Sequence, residues 1–156
     1  MNLMNNAVIN TPYPVNEPVL DYAPGSPEKQ AVKAALEAFS SKQVEIPLVI
    51  GGERITTGNM GKSVMPHDHQ HVLATYHKAG PREVQMAIDA AVAAQAGWQK
   101  FRWEERAAIF LKAAELLAVK YRAEMNALSM LNGGKTIFQA EIDAACELID
   151  FLRFNV

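Results

Sequence analysis

His67, His69 and His71 alternate within Pro66-His67-Asp68-His69-Gln70-His71. On an extended segment alternate side chains share a face, so three imidazoles could hold zinc and leave a fourth position open. The run follows a proline and shows no partner to orient the rings, which favours a polar turn between two strands. Gly134-Lys135-Thr136 has the ending of a phosphate-binding loop. Such a loop also needs a glycine five positions before Gly134 and a strand leading into it. Ser129 occupies that position inside a predicted helix, which leaves a helix-to-helix turn.

Cys146 is the single cysteine. Reactive thiols sit in electropositive, partly exposed places such as helix amino termini. Cys146 falls about ten residues into a predicted helix, with Asp143, Glu147 and Asp150 around it. Nearby carboxylates raise a thiol pKa, so Cys146 reads as a small buried residue. Asp143, Glu147 and Asp150 follow at i, i+4 and i+7, an acidic stripe on one helix face. The stripe is either a solvated surface or a place where a carboxylate receives a cationic group, a pairing that strengthens where water is excluded.

The elements that must carry these residues follow from turn and cap signals. Residues 1 to 26 contain Asn, Pro and Gly with little periodicity and predict an extended, poorly ordered lead. Ser26-Pro27-Glu28 predicts a helix start, with Ser as cap, Pro in the first turn and Glu at the positive end. That helix should run to about Ser41 with Val32, Leu36 and Phe39 on one face. Glu45 to Ile50 predicts a strand, Gly51-Gly52 a two-residue turn and Glu53 to Thr57 the return strand of a hairpin. Thr56 to Ser63 predicts a loop and Val72 to Ala79 the next strand.

Helices should then cover about Arg82 to Lys100 and Glu104 to Leu128, the second with a kink near Arg122. Asn132-Gly133-Gly134 should stop that helix, and Thr136 to Gln139 forms a capping box for the last one. The last helix is predicted to run through Val156 with no terminal cap, which points to a segment of a longer chain. Alone, such a piece should be weakly stable and expose Leu148, Phe151 and Leu152.

The 156 residues suffice for one compact unit, with 49% hydrophobic and 21% charged residues. A formal net charge of −2 lacks the basic footprint of a nucleic-acid binder and gives no pull toward an anionic membrane. No apolar run is long enough for a membrane-spanning helix. Met1 to Pro14 carries no Arg or Lys, which predicts neither a secretory nor a mitochondrial presequence and places the chain in the cytoplasm. A single thiol fits a reducing compartment.

The run from Gly134 to Asn155, with its Gln139-Ala140-Glu141-Ile142-Asp143-Ala144-Ala145 core, closely resembles the glutamate γ-semialdehyde (1-pyrroline-5-carboxylate) dehydrogenases of the aldehyde dehydrogenase superfamily. Arg106 to Ala114, Glu17-Pro18-Val19-Leu20 and Gly25-Ser26-Pro27-Glu28 resemble the same family. The resemblance implies an α/β aldehyde dehydrogenase-like fold with a Rossmann-like NAD domain, a catalytic domain and an oligomerisation hairpin. Residues 27–156 would be its helix-rich amino-terminal part, truncated and with a β-hairpin, after an extended lead at 1–26.

The resemblance further implies a cysteine nucleophile, oxyanion donors, a Glu that activates water, and NAD as hydride acceptor. None of these matches a position here, so no catalytic or cofactor-binding residue is expected in this chain, which alone should be inactive. One substrate contact is implied: the family's Glu in Ala-Ala-x-Glu-Leu-Ile-Asp-Phe falls on Glu147, near the substrate's α-ammonium, with Phe151 one turn on as a possible wall. Glutamate γ-semialdehyde is the implied substrate and a homo-oligomer the implied assembly. No metal, nucleic acid or membrane partner is expected from the charge, hydropathy and motif readings above. Two other readings stay open: a stand-alone helical interaction module derived from a dehydrogenase, and a segment of a bifunctional proline-oxidising protein.

Overall fold

The computed structural model describes residues 10–156. Seven helical stretches and five strands follow in chain order: α1 (Pro27–Ser40), β1 (Val44–Ile46), β2 (Leu48–Ile50), β3 (Glu53–Ile55), β4 (Met60–Met65), β5 (Asp68–His77), α2 (Pro81–Trp98), α3 (Trp103–Val119), α4 (Arg122–Gly133), α5 (Ile137–Ala140), a π-helical segment (Glu141–Cys146) and α6 (Glu147–Phe154).

The caps operate as their sequences predict. Ser26 Oγ accepts from the Lys29 amide at the start of α1. Thr136 and Gln139 cap each other's amides at the start of α5. Gly134 ends α4 at φ +67°, a left-handed conformation that favours glycine. Lys135 pairs with Asp143 at 2.9 Å, so Gly134-Lys135-Thr136 is a helix-to-helix turn.

The strands differ from the sequence expectation in three ways. Pro47 splits the predicted Glu45–Ile50 strand in two, since it brings no N–H to a ladder. β1 joins β5 in parallel, Val44 opposite Ala74, while β2 and β3 form the predicted hairpin around Gly51-Gly52. The expected loop at Thr56–Ser63 becomes strand from Met60 onward, paired antiparallel with β5. β5 begins at Asp68, before the predicted Val72, because Pro66-His67 forms a tight turn between β4 and β5. His69 and His71 therefore lie in a strand, and His71 Nε2 is engaged by the Ser40 carbonyl at 2.8 Å. Among the described residues no group of His, Cys, Asp and Glu is placed to hold a metal ion.

The expected long second helix is two helices, α3 and α4, separated at Lys120-Tyr121. Packing then forms three small cores. Tyr22, Val32 and Ala127 join α1 to α4, with Leu36 and Phe39 against them. Met65, Leu73 and Leu131 join the sheet to the same helices. Ala114, Ala145 and Ile149 join α3 to the last helix. Leu152 packs on this third cluster, against the expectation that it would be exposed, whereas Leu148 and Phe151 are exposed as predicted. Val84, Ile88 and Val92 form a bare apolar stripe on α2, each at least 50% exposed. No helix among the described residues is long and apolar enough to cross a membrane.

Candidate substrate groove and the buried carboxylate behind it

The lead does more than its sequence predicts. Its described part forms no helix or strand, yet residues 15 to 22 are fastened across the last helix. Asp150 accepts from the Asn16 side chain and the Glu17 amide, both at 2.7 Å. Arg153 holds the Val15 carbonyl and Glu17 Oε2, the latter at 2.7 Å. Arg122 donates to Glu17 Oε1 and to the Pro18 carbonyl. Residues 1–9, which carry the rest of the predicted lead, lie outside the described residues.

Beneath this strap lies a buried polar cluster. Glu141 is fully buried and accepts from the Leu20 amide at 2.8 Å, the Tyr22 hydroxyl at 2.7 Å and the Asn126 amide at 2.8 Å, besides its ion pair with Arg122. Tyr22 accepts in turn from Asn126 at 2.8 Å. The cluster fixes Tyr22 at φ +55°, a left-handed conformation costly for a bulky residue. Burial by itself would raise the Glu141 carboxyl pKa. The hydrogen bonds from Arg122, Leu20, Tyr22 and Asn126 outweigh it and hold the group below the ordinary carboxylate value. Burial also opposes the charge of Arg122, but the bonds to Glu141 and Glu17 keep its pKa above the ordinary value. Tyr22 is pushed up by burial and by the adjoining Glu141 carboxylate.

Cys146 lies at the edge of this cluster, 5% exposed. Burial first, and then the Glu141 charge, push its thiol up to about 11. Cys146 is buried as expected, and the carboxylate that raises its pKa is Glu141 rather than the expected Asp143, Glu147 and Asp150.

Glu147 and Phe151 face outward into one open groove of about 690 Å³. Ile142, Phe154 and Val19 give it apolar walls, and Glu17, Asp143 and Asp150 also reach it. The acidic stripe predicted from spacing is thereby sorted into separate roles. Asp143 is paired with Lys135, Asp150 holds the strap, and Glu17 sits between Arg122 and Arg153. Among the described residues the Glu147 side chain makes no hydrogen bond or ion pair. The groove can thus offer one uncommitted carboxylate beside aromatic surface, suited to a ligand that is cationic at one end.

Sequence reasoning missed Glu141 and Arg122 as a pair. A signal existed: Glu141, Ala145 and Ile149 recur at steps of four, placing a carboxylate on the buried stripe. Arg122 likewise shares a face with Asn126.

A comparison with family models matches residues 55–156 to the aldehyde dehydrogenase family. The chain belongs to the aldehyde dehydrogenase family. A delta-1-pyrroline-5-carboxylate dehydrogenase of Agaricus bisporus is 48% identical over 151 residues, which cover 96% of this chain and 28% of that protein. The human mitochondrial delta-1-pyrroline-5-carboxylate dehydrogenase is 45% identical, over 90% of this chain and 25% of its own length. Among solved structures, the delta-pyrroline-5-carboxylate dehydrogenase from Mycobacterium tuberculosis bound with NAD superposes with a TM-score of 0.94 at 42% identity, covering 97% of this chain and 28% of that one. The chain thus spans about a quarter of the length of these aldehyde dehydrogenase relatives.

The described residues do not fit NAD. Their one passage from a sheet strand into a long helix, from β5 to α2, is the place where a dinucleotide phosphate could meet free amides. There the Gly80 amide is already taken by the Glu83 carboxylate at 2.8 Å, which would oppose a second anion.

Proposed function

We propose that these residues are the amino-terminal part of an NAD-dependent dehydrogenase that oxidises L-glutamate γ-semialdehyde to glutamate in proline degradation, and that Glu147 receives the substrate's α-ammonium group. The similarity to delta-1-pyrroline-5-carboxylate dehydrogenases over nine-tenths or more of the chain supports the reaction. One observation carries the site: of the four carboxylates that reach the groove, Glu147 alone is uncommitted, and it adjoins Phe151. An ammonium placed there gains a charge-assisted hydrogen bond, while Phe151 shields the pair from water. The nucleophile, the oxyanion donors, the base and NAD belong to residues beyond these, so this chain alone is inactive in this reading.

Glu147→Ala in the longer polypeptide should raise the KM for the semialdehyde about tenfold or more, the loss of one charge-assisted bond of ~1.5–3 kcal/mol. The KM for a simple aliphatic aldehyde should hardly change. Equal effects on both substrates would remove Glu147 from the substrate site.

The assembled protein is a homo-oligomer in this reading. The bare Val84, Ile88 and Val92 stripe on α2 supports a surface that some other part of the assembly covers. We propose a cytoplasmic location for the protein. The human relative is named as mitochondrial, so fractionation of expressing cells is the deciding measurement.

A further inference from the structure

The helix that carries Glu147 cannot be wound as a plain α-helix throughout. Residues seven or eleven apart lie two or three full turns on, hence on one face of an α-helix. Glu147 is seven residues after Ala140, and Phe151 is eleven after it. Ala140 is fully buried, yet Phe151 is 57% exposed and Glu147 is exposed too. An uninterrupted helix would force all three onto the same side, and one end would be misplaced.

The π segment Glu141–Cys146 removes the conflict. Bonding from i to i+5 takes one extra residue into the turn, so everything beyond Cys146 is turned back by about 100°. Ala140, Glu141, Ala145, Cys146 and Ile149 are then all buried. Glu147, Phe151 and Phe154, beyond the segment, then face the groove on the side away from buried Ala140.

Both ends of the segment are pinned. At its start, Glu141 is held by Leu20, Tyr22, Arg122 and Asn126. Beyond its end, Ile149 is fully buried against α3 with Ala114. Neither anchor can rotate without stranding a buried charge or opening an apolar core. We propose that Glu141, clamped by Arg122, is a positioning residue for Glu147: it holds the π turn that aims the substrate carboxylate into the groove. This rests on the reading of Glu147 as the ammonium acceptor. Glu141 itself touches no substrate.

The test uses the longer polypeptide, with kcat and KM measured for glutamate γ-semialdehyde and for a simple aliphatic aldehyde. Glu141→Ala should reproduce the selective KM rise of Glu147→Ala, about tenfold, with aliphatic turnover within about twofold of the parent. The double variant should be no more selective than Glu147→Ala alone, because both changes remove the same contact. Deletion of Ala144, half-buried within the π segment, supplies an independent measurement if Glu141→Ala does not fold. Removing one residue turns the π segment into α-helix while leaving both flanks in phase, so the semialdehyde KM should stay within about twofold.

A folded deletion variant with a semialdehyde KM raised about tenfold would overturn the proposal, because it would mean that plain α-helical phase already aims Glu147. Equal damage to both substrates by Glu141→Ala, with Glu147→Ala still selective, would overturn the positioning role and leave the substrate site intact. Loss of selectivity in Glu147→Ala itself would overturn both readings together.

Discussion

Removing the buried Glu141 carboxylate should strongly destabilise this chain. In Glu141→Ala the Arg122 guanidinium keeps Glu17 but loses its buried partner, and the Leu20 amide, Tyr22 hydroxyl and Asn126 amide all lose their acceptor. Each of these neighbours donates to that carboxylate, and the Arg122 charge in particular has no other carboxylate within the buried cluster to replace it. Stranding one partner of a buried pair costs about 3–5 kcal/mol. With a urea dependence of roughly 2 kcal/mol per molar for a chain of this size, the unfolding midpoint should fall by about 2 M. A starting stability below that cost would leave the variant unfolded without urea.

The assay is urea unfolding of the 156-residue chain followed by circular dichroism, with Lys135→Ala as the control. Lys135 and Asp143 form an exposed pair, and losing it should cost under about 1 kcal/mol. If Glu141→Ala shifted the midpoint no more than Lys135→Ala does, the cluster would not be holding the strap to the helix.

The same cluster makes stability depend on acid. Because the folded Glu141 pKa is lowered, its contribution is fully present above the unfolded value of about 4.3 and is lost as pH falls through the folded value. Unfolding free energies measured from neutral pH downward should decline in that window, and Glu141→Gln should flatten the decline. For Cys146, with its thiol near 11, iodoacetamide should label the folded chain at pH 8 far more slowly than the urea-unfolded chain; equal labelling rates would contradict its burial. Gly134→Ala should cost about 1–2 kcal/mol, because the added Cβ meets Pro66 only at an ordinary 3.5 Å and the penalty is that of the left-handed backbone. Gly134→Asn should cost less in the same urea unfolding experiment.

Local chemistry made much of this chain legible in its sequence. Ser26, Pro27, Thr136, Gln139 and Gly134 each act on amides or dihedrals within a few residues, so their caps and stops could be read directly. The glycine pair at 51 and 52 set the β2–β3 hairpin for the same reason. The family could be read from the Gly134–Asn155 run, whereas the groove that Glu147 and Phe151 share needed the fold. What the sequence left open were pairings between distant segments. β1 joins β5 across some thirty residues, and β4 is a strand only because β5 supplies its ladder. The lead looked loose because none of its partners, Arg122, Glu141, Asp150 and Arg153, is near it in the chain. The π segment is the clearest case: its residues have ordinary helical character. The extra residue per turn exists because Ala140 must stay buried while Glu147 and Phe151, seven and eleven residues on, face the groove, a conflict that arises only when the neighbouring elements are packed around one helix.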